Sequence, residues 1–390
     1  MKSNALSVRP LAAVAAMAAA AGLVIAAPGV ASADEYGHDH GHGHLRSPLA
    51  TQRVNLVSDV PGQAVLTDAD AVNPWGLALS PTSPLWVANA GTSTSTLYTD
   101  APDSSAVAKV PTVRVTVPGP GNSPVGLPTG QVFNGGSGFV LSNGTTSAPA
   151  AFIFDTITGE IAAWSPSVDP HLGAVEIKAT EPGAAYTGLA LATTAAGAQQ
   201  LYAANFGQGR IDVFDSSFGL VHTPSWAFRD AGIPKGYAPF NAQNINGDVY
   251  VTYAKIDPKT SREVPGTGVG FVDEFTPDGR LVTRVDSRDG LNDPWGLAIA
   301  PASWGALAGD LLIGNFGSGQ ITVLKPDHHG QFHQIAGQLT DTSTGKPITI
   351  PGLWALLPGT ATTGGTDALW FSAGIDGETH GLVGVLRHAG

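Results

Sequence analysis

Three groups of side chains in this sequence could do chemistry. The first is Asp376, Glu378 and His380, all within Asp376-Gly377-Glu378-Thr379-His380. An imidazole beside two carboxylates suits general acid–base work or a metal site. The second is the alternating run His38, His40, His42 and His44, whose imidazoles suit a transition metal such as Zn²⁺, Cu²⁺ or Ni²⁺. The third is a dispersed set, Trp75, Trp295 and Trp354 with Asn89, Asn143, Asn205 and Asn315, that could stack on a ligand and bond to it through amides. Each has a plainer reading. Asn after a strand caps turns, Trp at a repeated position packs between units, and a histidine strip without fixed geometry binds metal only adventitiously. His328, His329 and His333 read as surface residues of a hydrophilic loop.

These residues need a scaffold, and the sequence repeats. Asn73-Pro74-Trp75-Gly76-Leu77-Ala78 returns as Asp293-Pro294-Trp295-Gly296-Leu297-Ala298, with weaker copies between and after. The recurring small residue falls at positions 76, 130, 188, 241, 296 and 355, a spacing of 53 to 59 residues. A strand-like segment follows each marker: Leu85–Asn89, Phe139–Asn143, Leu201–Asn205, Val249–Tyr253, Leu311–Asn315 and Leu369–Ala373. Third strands such as Arg210–Asp215 and fourth strands such as Val113–Val117 complete units of four.

Six such units predict an all-β, six-bladed β-propeller with four-stranded blades. A solenoid or a pair of β-sandwiches is the structural alternative. The last unit lacks a fourth strand, and Arg53–Val57 stands free before the first, so an N-terminal strand is expected to close the ring in the last blade. Loops entering first strands and leaving second strands open on one face. The Trp and Asn set is therefore expected around the central channel mouth there, with the loop of Asp376, Glu378 and His380 beside it. Four second strands end in Asn, whereas the fourth and sixth end in Tyr253 and Ala373. That asymmetry marks the side of the ring where function is to be sought.

At these residues the chain resembles NHL-repeat propellers, best at Leu201–Asn205 followed by Arg210–Asp215. Asn73–Ala78, Asn205-Phe206-Gly207, Asn315-Phe316-Gly317 and Asp376–Leu382 are similar to an uncharacterised secreted bacterial propeller family. The resemblance spans residues 50–386. It implies the fold and export, and brings no activity or catalytic residue. Asn stands where the NHL pattern ends the second strand in Asp, which departs from an acidic metal site.

Composition limits the functions further. The net charge is −12 and no basic cluster occurs in the body, which argues against nucleic acid as partner. Lys2, Arg9, the apolar run Leu11–Ala27 and Ala31-Ser32-Ala33 read as a general secretory signal peptide over residues 1–33, with an uncleaved anchor as the alternative. Residues 34–48 then form a flexible His-rich leader and 49–390 one propeller domain, with no membrane contact after cleavage. With no cysteine, disulfides and thiol catalysis are excluded, and the core alone must supply stability. No G-x-S-x-G, H-E-x-x-H, Walker or EF-hand pattern occurs.

The reading expected from sequence is a secreted, monomeric propeller that binds a small molecule, glycan or protein at the channel mouth. The alternative is a metal-assisted hydrolase or lactonase with a Ca²⁺-type site in the channel, drawing on Asp293, Asp376 and Glu378.

Overall fold

The computed structural model describes residues 49–100, 106–169, 175–179, 183–287 and 290–389. The signal peptide and the leader histidines His38, His40, His42 and His44 lie outside these residues. Within them the chain forms, beside one two-stranded hairpin, six small sheets, five of which each draw their strands from one stretch of sequence while the sixth joins the two ends of the described chain. Their innermost strands are Pro74–Ala78, Pro128–Phe133, Tyr186–Thr193, Tyr237–Ile245, Pro294–Ile299 and Leu353–Pro358. Each touches the next and the last touches the first, so the ring is closed. The protein is a six-bladed β-propeller.

The repeated small residues sit where the blades converge. A Cβ on Gly76 would lie 2.5 Å from the Thr129 carbonyl oxygen, and one on Gly296 would lie 2.4 Å from that of Trp354. Neighbouring backbones leave no room for a side chain, which is why the marker is small. Where the fourth blade carries Asn241, its amide donates across the ring to the Trp295 carbonyl at 2.8 Å.

Closure follows the sequence expectation. Ala50–Ser58 pairs antiparallel with Leu382–His388, joining the start of the described chain to its end in the sixth blade. Thr340–Asp341 and Leu66–Thr67 each add a short parallel pairing to the same strand. This removes an open edge at the point where the ring would otherwise part.

One strand is placed differently. Val140–Ser142 belongs to a separate two-stranded hairpin with Ser147–Pro149, and the second strand of the second blade is Phe152–Thr156. The segment before it is an insertion that leans on the third blade. The buried Phe139 packs edge-on against Phe218 at 5.0 Å, and its N–H donates to the Ser216 carbonyl. Phe139–Asn143 and Phe152–Thr156 read alike as five-residue segments with turn residues nearby, so pattern alone could not tell the blade strand from the inserted one.

Apolar side chains fill the spaces between neighbouring blades. Between the third and fourth these include Tyr202, Val213, Phe228, Val251 and Phe275. The Tyr202 hydroxyl crosses to the Pro277 carbonyl at 2.9 Å, pinning the two blades together.

Candidate functional site

Asn89, Asn205 and Asn315 end the second strands of the first, third and fifth blades, and all three are fully buried. Asn205 accepts from the Ala185 and Gln208 N–H groups and donates to Asp212 at 2.7 Å. Asn315 accepts from the Asn292 N–H at 2.9 Å and donates to Thr322 at 3.2 Å. Asn89 donates to Thr96 at 2.9 Å. Each amide ties the loop leaving the second strand, or the one entering the first, to the third strand. These side chains point into the blade, not toward the channel mouth. Asn143 lies elsewhere, in the inserted hairpin, where it caps the turn at Thr145 and Thr146 and donates to the Val168 carbonyl at 2.8 Å.

The tryptophans fill the channel mouth. Trp75 stacks on Trp354 with centroids 3.5 Å apart, and Trp295 meets both edge-on at 6.1 and 5.8 Å. Phe316 stacks on the same Trp354 at 4.0 Å, and Phe240 packs at its edge. Trp75, Trp295 and Trp354 are 2%, 3% and 0% exposed. The expected open ring of aromatic rings is an aromatic plug. Large side chains from blades converging on one axis reach each other before they reach solvent.

The loop of the sixth blade does not bring its three groups together. The His380 Nδ1 pairs with Asp59 at 2.6 Å, which raises the imidazole's pKa. Glu378 turns the other way, accepting from Asn73 at 3.2 Å and pairing with Arg262. Asp376 is exposed, and Asp376, Gly377 and Glu378 all adopt positive φ.

Arg262 comes from the fourth blade. The connection from Lys255 to Phe271 runs over the fifth blade, where the Gly266 N–H donates to Asn292 at 2.7 Å and Val269 accepts from the Asp293 N–H. It forms a strap latched to the sixth blade by Arg262, which also pairs with Glu263 at 3.0 Å. Asp293 is fully buried and neither carboxylate oxygen has a hydrogen-bond partner. Burial, then the nearby Glu263, pushes its pKa up to about 7. Asn73 holds the corresponding place in the first blade and accepts the indole N–H of Trp354 at 3.1 Å. The blade before Asp293 offers Phe240 where the sixth offers Trp354, and phenylalanine has no donor.

The open cavity on this face lies off the axis, between the third and fourth blades. It encloses about 540 Å³ and is lined by Trp226, Arg229, Asp230, Lys235, Tyr237 and Tyr253, among others. Tyr253, within the second strand Asp248–Lys255, holds the place that Asn89, Asn205 and Asn315 take in the first, third and fifth blades. Without that amide, Asp273 on the neighbouring strand loses the partner that Asp212 has in the third blade. No Asp273 oxygen is hydrogen-bonded, though Oδ1 faces the Arg284 Nε at 3.5 Å, and burial, then Asp230, raises its pKa to about 7 against the opposing pull of Arg284. The Tyr253 hydroxyl is also buried without a partner, and burial holds its pKa well above the usual phenol range. The Tyr253 side chain lines the cavity, with this hydroxyl set behind that surface. Trp226 is 48% exposed, with the Arg280 guanidinium 5.1 Å from its ring.

Sequence reasoning noticed Tyr253 as a departure from the repeat but gave it no role. Trp226, Asp230, Asp273, Arg284 and the strap residues Arg262 and Glu263 carried no motif, because the pairings of Trp226 with Arg280, Asp230 with Arg284 and Arg262 with Glu378 span 54 to 116 residues.

No family model matches the chain. Among solved structures, a structural-genomics protein of unknown function from Bacteroides thetaiotaomicron is similar with a TM-score of 0.50 and 11% identity, over 87% of this chain and 76% of that one. Virginiamycin B lyase from Staphylococcus aureus gives a TM-score of 0.47 at 11% identity, over 86% of this chain and 98% of that one. An uncharacterized protein of Acanthamoeba polyphaga mimivirus is 33% identical over 347 residues, 87% of this chain and 81% of its own length. A second from the same virus is 33% identical over 349 residues, 87% of each chain. The expectation of a bacterial group thus meets relatives that are viral, and the chain belongs to the family of these mimivirus proteins.

Proposed function

We propose that this propeller binds a small ligand in the cleft between its third and fourth blades, on the face where the Trp and Asn set was expected to act. The observation that carries the reading is Tyr253, whose side chain lines an open cavity and holds behind that lining a buried hydroxyl donor without an acceptor. Leaving such a group unpaired costs about 1–3 kcal/mol, and a ligand oxygen would recover it. The cavity volume lies in the range of about 300–1,000 Å³ common to ligand sites. Trp226 supplies a half-exposed ring for stacking. The export signal read in residues 1–33 makes the ligand an extracytoplasmic one.

The metal-assisted alternative needs carboxylates converging on one cation. Among the described residues no three His, Asp or Glu side chains do so. Asp376 is exposed, Glu378 pairs with Arg262 and Asp293 is buried alone.

Thermal-shift screening against saccharides and small organic compounds tests the proposal, followed by calorimetry on Tyr253→Phe and Trp226→Ala. A ligand that loses about tenfold or more in affinity with each change supports it, a factor of ten being about 1.4 kcal/mol. A ligand indifferent to both changes would place binding elsewhere.

A further inference from the structure

Resting on that reading of the cleft, we propose that its ligand is an anionic saccharide, a sugar ring bearing a carboxylate. The chain as a whole is acidic, with 31 Asp and Glu against 19 Lys and Arg. The cleft reverses that balance. Arg229 and Lys235 both line it and stand exposed, and neither forms an ion pair with any described residue. The acidic group in the lining, Asp230, is paired with Arg284, which also faces the buried Asp273 at 3.5 Å. An incoming anion therefore meets two uncommitted cations and no uncommitted carboxylate at the rim.

Deeper in, behind the lining, the unpartnered Tyr253 hydroxyl has a proton to donate to a ligand oxygen. Trp226, beside Ile233 and Pro234, forms the apolar part of the wall. A flat aromatic face suits the C–H face of a sugar ring, while the cations and the phenol take its carboxylate and hydroxyls. A neutral sugar would leave Arg229 and Lys235 unused. An aromatic acid would leave the ring's hydroxyl partners unused.

The experiment is a set of calorimetric titrations with D-galacturonate, D-galactose and benzoate, on the full chain and on Tyr253→Phe and an Arg229→Gln/Lys235→Gln double variant. Galacturonate is expected to bind about tenfold or more tightly than galactose or benzoate. The double variant should abolish that advantage, and raising salt to about 0.5 M should erode it through screening. Galactose binding as tightly as galacturonate, with both lost in Tyr253→Phe, would overturn the anion assignment and leave the cleft as the site. Benzoate matching galacturonate would overturn the saccharide assignment. No response to any of the three at millimolar concentration would overturn the inference, the cleft itself then being judged by the wider screen.

Discussion

Replacing Asp293 by Asn should stabilise the protein at alkaline pH and change little in acid. The carboxyl is fully buried, unpartnered, and titrates near 7 in the folded chain against 3.8 for the ordinary group. Between those values the unfolded chain has released a proton that the folded chain still holds. Folded stability therefore falls as pH rises from about 4 to about 7 and levels off above. Three pKa units at 1.36 kcal/mol each make the loss about 4 kcal/mol, an upper figure because relaxation and neighbouring charges reduce it. Asn cannot ionise, and Asn73 already occupies the equivalent place in the first blade. Urea unfolding of both proteins at pH 5 and pH 8 is the assay, read as the midpoint at unchanged slope. The variant's midpoint should exceed the wild type's clearly at pH 8 and much less at pH 5. Equal gaps at the two values, or a variant weaker at pH 8, would refute the orphaned carboxyl and its raised pKa. The reciprocal change, Asn73→Asp, should destabilise at pH 8, since it loses the amide that donates to Glu378.

Other outcomes follow from the same geometry. Trp354→Ala removes the ring on which Trp75 and Phe316 both stack and should cost about 3–5 kcal/mol in unfolding free energy, measured by denaturation. Asn205→Ala removes one of the donors to the buried Asp212 and strands the Ala185 N–H, so a loss of about 1–3 kcal/mol is expected, whereas Asn143→Ala in the exposed hairpin turn should cost under about 1 kcal/mol. Gly296→Ala should destabilise by about 1–3 kcal/mol or more through its clash with the Trp354 carbonyl, seen as a lowered Tm.

The fold was legible because each blade repeats one physical demand. A small residue must sit where backbones converge, and a buried Asn must tie the turn after the second strand. Those demands recur at positions 76 to 355 and at Asn89, Asn205 and Asn315, so the period showed through. Closure was legible for the same reason, since the sixth unit was one strand short and Arg53–Val57 was spare. The inserted hairpin escaped because an apolar run of five looks alike in or out of a blade.

The site was less legible. Tryptophan at a converging position reads equally as a ligand platform or a plug, and only the 3.5 Å stack of Trp75 on Trp354 decides for the plug. His380, Glu378 and Asp376 are close in sequence, yet the run of positive φ turns their side chains toward different partners. The cleft was visible only as a break in the repeat at Tyr253. Its cations and its aromatic wall come from the connection between blades, which has no repeat to depart from.

Trp226 gives the most direct test of the cleft as the binding site. The other seven tryptophans are buried, so acrylamide quenching of the protein's fluorescence reports chiefly on this ring. A bound ligand should shield it, lowering the quenchable fraction of the emission, and the effect should vanish in Trp226→Phe. A ligand that binds by calorimetry yet leaves the quenching of Trp226 unchanged would contradict the account.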